Sequence, residues 1–459
     1  MSDIKRVFLI TVDCLRADHV GCIGGGNLTP NIDRLAKDSV VFTRAFANGP
    51  GTNQSFPAIL TSTYFFMHGG MQLLPCYTTL AEVLSEHGFK TVGFHSNPFL
   101  SKALGWNKGF SEFYDFMEMI KSPSASIARS SWSASILKSI NKLIKVFNNR
   151  KAQSIMRKIY YWWNRFEIPY VEGNKLTKYV INWMISRNRQ EKLFIWLHYM
   201  DPHRPYIPPS QYLIEEFGTR KEAFIFDVFI DSKIAQGNIS KEELKKLVEL
   251  YEGEVKYVDD CVGSFISFLE DENLLDSSLL ILTGDHGEAF MEHGELAHSY
   301  KIVYNEVIHV PLIIYGLDSC SKIVNEFVQL LDVPPTILRA LQIKKPYSFC
   351  GSDLLSLLKG AYDTPRLIFS ESAKPDLINL RYDTNKKVVS CIAGGWKLII
   401  NEFWGTTELY NIKEDPNEKN DLSTTEVEIS QQLIRLIQKH LIFEKIRSKR
   451  IKSKKLESD

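Results

Sequence analysis

The sequence lacks the features of a membrane-spanning, secreted or nucleic-acid-binding chain. Its 459 residues carry a formal net charge of only +1, which argues against a protein built mainly to bind nucleic acid. No apolar run is long enough to span a bilayer, and the first residues lead into a strand without a signal-peptide core. These absences predict a cytoplasmic protein with no nucleic-acid partner.

Cysteine pairs are also lacking. The seven cysteines are odd in number and none belongs to a CxxC motif, which favours reduced thiols over a disulfide framework. The cysteines lie at positions 14, 22, 76, 261, 320, 350 and 391.

The residues that are present predict a globular α/β protein. Hydrophobic residues make up 44% of the chain and charged residues 24%, which supports a sizeable core. Val7–Val12 is nearly continuously apolar, as in a strand that is buried on both faces of a parallel sheet. The pattern continues with a helix from Thr29-Pro30, a strand at Val40–Phe46, a helix at Thr79–His87 and a strand at Thr91–Phe94. This alternation implies right-handed parallel crossovers, with helices on both faces of the sheet.

The second half of the chain continues this pattern. A Ser240/Glu243 capping box begins a long helix, and Asp332 begins another. Further buried strands are predicted at Leu193–Leu197, Leu279–Thr283 and Val310–Tyr315.

From about residue 367 the pattern changes to short strands separated by turns. A closing helix is predicted at Ser430–Ile442, and the basic tail Lys445–Lys455 is expected to fray. We therefore predict a catalytic domain at residues 1–366 and a small α+β subdomain at residues 367–459. The short strands, which predict an antiparallel sheet, are Ile378–Tyr382, Val388–Ile392 and Trp396–Ile400.

Lys121–Phe166 contains ten lysines or arginines and no acidic residue. It begins serine-rich and becomes amphipathic through Ile140, Ile144 and Phe147, so we interpret it as a basic helical insertion in the catalytic domain. One interpretation is a solvated basic helix. The other is a surface that contacts anionic lipid or a polyanionic substrate, which would place the protein peripherally at a membrane.

The stretch Asn48–Ser62 offers a candidate nucleophile. Its glycines and proline predict a tight turn, after which the hydroxyl of Thr52 precedes residues with helical spacing. Backbone N–H groups and the helix dipole at such a position favour an anion. Thr52 is therefore suited to attack a phosphorus or sulfur centre, although a plain N-cap is the alternative. Ser55, one turn later, is expected to bond its own helix backbone.

Acidic residues follow two of the predicted buried strands. Asp13 comes directly after the first strand, and Asp285-His286 follows the strand at Leu279–Thr283. The carboxyl ends of such strands form the edge where ligands bind in open α/β sheets. Two carboxylates at this edge would repel each other unless a divalent cation neutralised them. We therefore predict one metal ion held by Asp13, Thr52, Asp285 and His286.

Several histidines lie in the same or neighbouring loops. Each could hold the oxygens of a tetrahedral ester or protonate a leaving group, and each alone could equally be structural. A second ion held by Asp201, His203 and His298 is a further alternative. The histidines are His198, His203, His293 and His298.

Several motifs resemble the sulfatase family of the alkaline phosphatase superfamily, in family order from residue 7 to about 422. The resemblance implies an alkaline-phosphatase-like core, with a mixed, mostly parallel sheet between helices, and a small C-terminal antiparallel sheet and helix. The motifs are Val12-Asp-Cys-Leu-Arg-Ala-Asp18, Thr29-Pro-Asn-Ile-Asp-Arg-Leu-Ala36, His198-Tyr-Met-Asp-Pro-His203, Gly284-Asp-His-Gly-Glu288, Tyr304-Asn-Glu-Val-Ile-His-Val-Pro-Leu-Ile-Ile314, Trp396-Lys-Leu-Ile399 and Glu408-Leu-Tyr-Asn-Ile-Lys-Glu-Asp-Pro-Asn-Glu418.

The departures from this family concern its nucleophile. The family motif Cys-x-Pro-Ser-Arg supplies a cysteine that becomes formylglycine, and its position here holds Thr52. The family proline and arginine correspond to Gln54 and Phe56. The second N-terminal aspartate of the family is Cys14, and its Gly-Lys-x-His element is replaced by residues that include Asn97. Formylglycine cannot form from threonine.

A threonine nucleophile beside an Asp-His metal pair is similar to the phosphoethanolamine and phosphoglycerol transferases and to the phosphodiesterases of the superfamily. Those transferases usually carry transmembrane helices, which this sequence lacks. We therefore predict a metal-dependent hydrolase that uses Thr52 to open a phosphate mono- or diester. A sulfuric ester hydrolase, such a transferase and a catalytically inactive binding module are the alternatives.

The resemblance also implies further site residues and the substrate class. His203 and His298 would be catalytic and contact a small-molecule or head-group ester, with Asn97, His198 and Lys301 as further substrate contacts. Two carboxylates and an imidazole favour Mn²⁺ or Zn²⁺ as the metal, with Ca²⁺ and Mg²⁺ as alternatives.

Overall fold

The computed structural model of this chain describes residues 4–117, 168, 170–188, 190–235, 237–318, 320–360, 366–377 and 379–456. The basic insertion predicted at residues 121–166 lies outside this part of the chain.

Within the described residues, a sheet of nine strands forms the centre of the fold, in the order β4-β3-β5-β1-β6-β7-β2-β8, with β9 also paired to β2. Only β7 runs antiparallel to its neighbours β6 and β2 in this described sheet, so the predicted mixed, mostly parallel sheet is confirmed. The strands are β1 (Arg6–Val12), β2 (Ser39–Phe46), β3 (Lys90–Phe94), β4 (Glu112–Tyr114), β5 (Leu193–Tyr199), β6 (Ser278–Gly284), β7 (His309–Tyr315), β8 (Lys322–Val324) and β9 (Val328–Gln329).

Helices cover both faces of this sheet. The predicted capping box at Ser240/Glu243 is present, and a second capping box is formed by Thr79 and Glu82. No helix in the described residues is long and apolar enough to cross a membrane. The helices are α1 (Pro30–Ala36), α2 (Thr52–Thr61), α3 (Phe65–His68), α4 (Leu80–Glu86), α5 (Gly173–Ile185), α6 (Arg220–Ala235), α7 (Lys241–Asp271), α8 (Asn305–Ile308), α9 (Val333–Ala340), α10 (Leu354–Leu358) and α11 (Val427–Leu456).

The apolar run of β1 is explained by its burial on both faces. Val7 and Leu9 pack into one hydrophobic cluster with α2 and α4, whereas Phe8 and Ile10 pack into another with α5 and α7. Successive side chains of a strand point to opposite faces, so a strand between two helical layers must be apolar throughout. Burial of this kind contributes roughly 25 cal/mol for each Å² of apolar surface removed from water.

A second sheet of four antiparallel strands follows, in the order β10-β11-β12-β13. The antiparallel sheet is confirmed, but the strand predicted at Ile378–Tyr382 is wrong, because Leu377, Asn379 and Leu380 lie in the turn before β11. The division of the chain at residue 366 stays a prediction. The strands are β10 (Leu367–Asp376), β11 (Arg381–Ala393), β12 (Trp396–Asn401) and β13 (Thr406–Asn411).

The C-terminal tail is helical rather than frayed, because α11 extends to Leu456. Small and apolar residues of the tail pack against the core. The hydroxyl of Ser448 donates to the carbonyl of Met67 at 3.0 Å, and Ile451 is only 5% exposed. Side-chain contacts therefore hold the helix in the segment that its charge pattern predicted to be loose.

Candidate active site

The parallel strands bring the two acidic loops together. Val12 of β1 is paired with Gly284 of β6, so the residues that follow them, Asp13 and Asp285, leave the sheet side by side. The backbone N–H of Asp285 donates to the carbonyl of Val12 at 3.2 Å. Cys14 adopts a left-handed conformation (φ 60°), and its N–H donates to Asp285 Oδ1 at 3.3 Å. Both aspartates are fully buried.

His286 completes a group of three side chains that could hold a metal ion. Its Nδ1 donates to the carbonyl of Gly287 at 2.8 Å, which leaves Nε2 as an acceptor. This Nε2 lies 3.4 Å from Asp13 Oδ1 and 3.6 Å from Asp285 Oδ2. A side chain at Gly287 would collide with the carbonyl of Glu306, so glycine is required for this close packing.

Thr52 stands at the first position of α2 and faces the same carboxylates. Its hydroxyl donates to Asp13 Oδ2 at 3.4 Å and accepts from Asn97 Nδ2 at 3.3 Å. Asn97 Nδ2 also donates to Asp13 Oδ2 at 3.0 Å, so the amide holds both groups. The turn before α2 is closely packed, because a Cβ on Gly49 would lie 2.3 Å from that of Gln54.

The hydrogen bond of Ser55 differs from the one predicted. Its hydroxyl donates to the carbonyl of Asp285 at 2.6 Å rather than to its own helix. Ser55 thus joins the first turn of α2 to the acidic loop. This contact fixes the position of Thr52 relative to Asp285.

His198 lies behind Asp13 and is fully buried. Its Nδ1 is 2.9 Å from the hydroxyl of Thr11, and its Nε2 is 3.4 Å from Asp13 Oδ2. The ring packs edge-on against Phe56, which holds the position of the family arginine. In this place His198 orients Asp13 and does not line the cleft.

His298 forms a buried pair with a glutamate that the sequence analysis did not assign. Glu288 Oε1 is 3.0 Å from His298 Nδ1, and Glu288 Oε2 accepts from the hydroxyl of Tyr206 at 3.0 Å. Burial alone would lower the pKa of His298, but the carboxylate of Glu288 raises it above the ordinary value. The motif Gly284–Glu288 was the available signal, because it placed this acid beside Asp285 and His286.

Cys14 and His203 also lie at the site. The Cys14 thiol lies 3.2 Å from Asp13 Oδ1 and 3.5 Å from His298 Nδ1. Burial, followed by the charge of Glu288, raises the pKa of this thiol well above its ordinary value, so it stays neutral. His203 Nδ1 donates to the carbonyl of Arg204 at 2.6 Å, and its ring lies 5.1 Å from that of His298.

Three sequence candidates lie elsewhere. Asp201 accepts from the N–H of Gly173 at 2.9 Å and joins none of the metal-ligating groups within the described residues, so the alternative of a second ion with Asp201 is wrong. His293 Nδ1 forms a hydrogen bond with Glu306 Oε1 at 2.7 Å. The ammonium of Lys301 lies 6.0 Å from the centre of the Tyr300 ring, which itself lines the cleft.

A cleft of about 330 Å³ opens onto Thr52, Asn97, His203 and His298. None of the described residues that line it is Lys, Arg, Asp or Glu. Its walls are mostly apolar or aromatic, and strand β10 and the turn after it contribute to one wall. The wall residues include Met71, Phe99, Met200, Leu377 and Tyr382.

The residues at the strand ends fit a divalent metal ion. Ligand atoms of Asp13, Asp285 and His286 all lie within 4.8 Å of one another. Asp285 Oδ2 and His286 Nε2 are buried and have no hydrogen-bond partner, which is unusual for polar atoms that no cation contacts. Burial and then the charge of Asp13 raise the pKa of Asp285 well above its ordinary value. Two facing carboxylates and a free imidazole nitrogen are suitable ligands for such an ion.

Asp13 is the carboxylate that stays ionised. Burial opposes its charge, but the hydrogen bond with His198 and the charges of His203 and His286 outweigh that effect and lower its pKa below the ordinary range. The two aspartates thus have opposite shifts because they share one buried site.

Comparisons with known proteins identify the family. The model of the sulfatase family matches residues 5–343. The arylsulfatase of Clostridium perfringens (strain 13 / Type A) is 22% identical over 451 residues, which cover 92% of this chain and 90% of that protein.

Solved structures show the same fold. One is a protein in complex with its substrate D-glucosamine-2-N,6-O-disulfate (TM-score 0.69, 16% identity, 96% of this chain and 98% of that chain). Another is the phosphonate monoester hydrolase of Agrobacterium radiobacter (TM-score 0.68, 18% identity, 97% and 96%). Because the family model covers most of the sequence, this chain belongs to the sulfatase family and is a sulfatase-like ester hydrolase.

Proposed function

We propose that this protein is a metal-dependent hydrolase of phosphate mono- or diesters with Thr52 as its nucleophile. The observation that carries this proposal is the position of the Thr52 hydroxyl. It lies at a helix N-terminus, between the carboxylate of Asp13 and the amide of Asn97, and it lines the cleft. An alcohol needs such surroundings to attack an ester near neutral pH.

Asp13, Thr52, Asp285 and His286 would hold the metal ion, and Mn²⁺ or Zn²⁺ suits their two carboxylates and imidazole. A bound divalent ion would neutralise the carboxylates and make the nearby alcohol and tetrahedral centre more reactive. With Cys14 neutral, the two aspartates provide two negative charges, which one divalent ion balances.

In the first step, Thr52 Oγ bonds to phosphorus while the bond from phosphorus to the departing alcohol breaks. Asn97 donates to Thr52 Oγ and stabilises it as its proton is released to water in the cleft. The His298 imidazolium, sustained by Glu288, gives a proton to the departing oxygen. In the second step a water molecule attacks the same phosphorus and gives a proton to His298, while the bond from phosphorus to Thr52 Oγ breaks. Thr52 Oγ takes up a proton from water, and the phosphate product is released.

The side chain of Thr52 favours phosphate over sulfate as the substrate. The hydrate of an aldehyde, such as formylglycine, carries a second hydroxyl through which its ester can be eliminated. Threonine carries none, so the Thr52 ester must be opened by attack on the central atom. A sulfuric ester hydrolase remains the second candidate, because the family model and the arylsulfatase relative favour it.

A panel of p-nitrophenyl esters tests the substrate class. The purified protein, supplied with Mn²⁺ or Zn²⁺, is assayed on a phosphate monoester, a phosphodiester, a phosphonate monoester and a sulfate ester. We expect kcat/KM for one of the phosphate esters to exceed that for the sulfate by at least about tenfold, a difference of about 1.4 kcal/mol in activation free energy. Faster turnover of the sulfate ester would contradict the proposal, whereas release of p-nitrophenol that rises with added glycerol or ethanolamine would identify a transferase.

The Glu288–His298 pair predicts a characteristic pH dependence. Since the pKa of His298 is raised by Glu288, kcat/KM should fall as the pH rises through the pKa of His298 and the imidazolium is lost. Glu288→Gln removes the charge that raises this pKa, so the falling limb should move to lower pH. His298→Gln should slow esters of poor leaving groups by roughly 10²–10⁴-fold.

The leaving group provides the control for this prediction. A p-nitrophenolate needs little protonation, so its ester should lose much less activity in His298→Gln than an ester of an aliphatic alcohol. Equal losses on both esters would show that His298 is not the general acid. His293→Gln, a histidine bonded to Glu306 outside the cleft, should leave the pH profile unchanged.

A further inference from the structure

The long C-terminal helix α11 has one face against the core and one face in solvent. Its buried residues recur every three or four positions, as expected for one side of an α-helix. On the opposite side the exposed charges between Arg435 and Ser453 are all positive, because the only acidic residue in this stretch, Glu444, is buried. The buried residues are Leu433, Ile437, His440, Glu444, Ser448 and Ile451, and the exposed cationic residues are Arg435, Lys439, Lys445, Lys449, Arg450 and Lys452.

Large apolar side chains lie within the same solvent-facing side. Ile442 is 59% exposed, Phe443 42% and Ile446 47%. Lys439, Ile442, Ile446 and Lys449 are three or four residues apart, so they form one row along the helix. The apolar side chains are thus bordered by lysines at both ends.

An aromatic side chain extends this patch beyond the helix. The guanidinium of Arg447 lies 4.2 Å from the centre of the Tyr347 ring and 5.8 Å from that of Phe443. Tyr347 is 47% exposed. Aromatic and aliphatic side chains beside fixed cations suit the boundary between lipid headgroups and acyl chains.

We propose that this face of α11 docks the protein on the surface of an anionic lipid bilayer. Cationic side chains near such a surface are attracted by its negative potential, and the apolar side chains gain by leaving water. A nucleic acid would satisfy the cations but would leave Ile442, Phe443 and Ile446 in water. The combination on one face therefore favours a bilayer over a soluble polyanion, and it does not depend on the proposed reaction.

Co-sedimentation of the full chain with vesicles tests this surface. The vesicles are phosphatidylcholine alone, or phosphatidylcholine with phosphatidylserine. One variant combines Lys445→Glu, Lys449→Glu and Arg450→Glu, and we expect it to lower partitioning onto the anionic vesicles by at least about tenfold. Raising the salt concentration should also weaken binding of the wild type to the anionic vesicles.

A second variant keeps the charge and removes the apolar side chains. Ile442→Ser, Phe443→Ser and Ile446→Ser together should also lower partitioning by at least about tenfold, because the apolar surface that would leave water on docking is lost. The matched control reverses three exposed lysines elsewhere, Lys37→Glu, Lys359→Glu and Lys386→Glu, and should change partitioning by less than about threefold. All variants replace exposed residues, so circular dichroism should show wild-type folding and p-nitrophenyl ester turnover should be retained.

Four results would overturn the inference. The first is wild-type partitioning of both α11 variants, and the second is an equal loss in the control, which would make net charge alone responsible. The third is equal binding to vesicles without phosphatidylserine. The fourth combines two measurements: the serine variant partitions onto vesicles like the wild type, and the protein binds duplex DNA in a way that only the glutamate variant loses. This result would identify a polyanion site instead of a bilayer surface.

Discussion

Replacing Thr52 with alanine is expected to abolish turnover of every ester while the fold and bound metal are largely retained. The hydroxyl forms the hydrogen bonds of this side chain to Asp13 and Asn97. Loss of a nucleophile typically lowers kcat by several orders of magnitude. Turnover by stopped assay, metal content and thermal unfolding of the same preparation would measure the three expected results together.

Two neighbouring variants provide the controls for this experiment. Thr52→Ser keeps the oxygen and should keep part of the activity. Ser55→Ala removes the hydrogen bond to the carbonyl of Asp285, so it should reduce stability by about 1 kcal/mol and cost far less activity than Thr52→Ala. Wild-type turnover in Thr52→Ala would disprove the covalent mechanism and leave water as the nucleophile.

The covalent intermediate gives this prediction a second measurement. If phosphate is transferred to Thr52, rapid quenching during turnover should yield a phosphorylated peptide that contains this residue. The same peptide from the Ser55→Ala variant should still be phosphorylated. A phosphate found on Ser55 in the wild type would reassign the nucleophile within the same turn.

The position of the two acidic loops at the edge of the sheet could be predicted from the sequence because it depends on strand patterns alone. The apolar run of β1 required burial on both faces, and Asp13 and Asp285 each followed such a run. The carboxyl ends of parallel strands lie at one edge of a sheet, so both residues were expected at that edge without knowledge of the loops. The order of the strands was not predicted. In the structure, the pairing of Val12 with Gly284 places Asp13 and Asp285 together at this edge.

The roles of individual histidines could not be predicted in the same way. His198, His293 and His298 all follow or flank acidic motifs, yet one supports Asp13, one is bonded to Glu306 and one opens into the cleft. Sequence spacing gives the position of a residue in a loop but not the direction of its ring nitrogens. Glu288 illustrates the same point, because its partner His298 is ten residues away and is reached only when the loop folds back.

Asp201 was misplaced for a related reason. The segment that follows the strand predicted at Leu193–Leu197 offered Asp201 as a ligand at the edge of the sheet. In the structure its carboxylate turns toward the start of α5 and accepts from the N–H of Gly173. A Cβ on Gly173 would lie 2.8 Å from Asp201 Oδ2, so this contact depends on a glycine far away in the sequence. Such contacts are tertiary and leave no local pattern.

Replacing Asp285 with asparagine is expected to stabilise the metal-free protein while it abolishes both metal binding and turnover. In the folded chain, Asp285 Oδ1 accepts from the N–H groups of Cys14 and His286, and an asparagine oxygen can keep both bonds. The buried Oδ2 has no partner and faces Asp13. Removing this charge should relieve repulsion worth about 1–4 kcal/mol in the absence of metal.

The direction of the pH dependence follows from the raised pKa of Asp285. The folded metal-free protein holds a proton on this group that the unfolded chain releases at lower pH. The stability from this group is therefore fully present below the unfolded pKa of about 3.9 and is lost as the pH rises through the higher folded pKa. The asparagine of Asp285→Asn does not titrate. In EDTA, the thermal midpoint of this variant should therefore lie above that of the wild type at pH values near and above the folded pKa of Asp285.

Bound metal should make the wild type more stable than Asp285→Asn, the reverse of the order in EDTA. At a concentration of about 1,000 times its dissociation constant, a bound ion stabilises the wild type by about 4 kcal/mol. Asp285→Asn should gain little, because it lacks one of the two carboxylates. Thermal unfolding in EDTA and in excess Mn²⁺ or Zn²⁺ should therefore rank the two proteins in opposite orders.

Asp201→Asn is the matched control for this reversal. Burial raises the pKa of Asp201 to about 7, and its Oδ2 also lacks a partner, but it lies outside the metal-ligating groups of the described residues. This variant should lose the wild-type fall in stability as the pH rises through about 7, yet it should keep turnover and the full stabilisation by metal. If Asp285→Asn were stabilised by metal as strongly as Asp201→Asn, the ion would not be held by Asp285, and the proposed ligand set would be wrong.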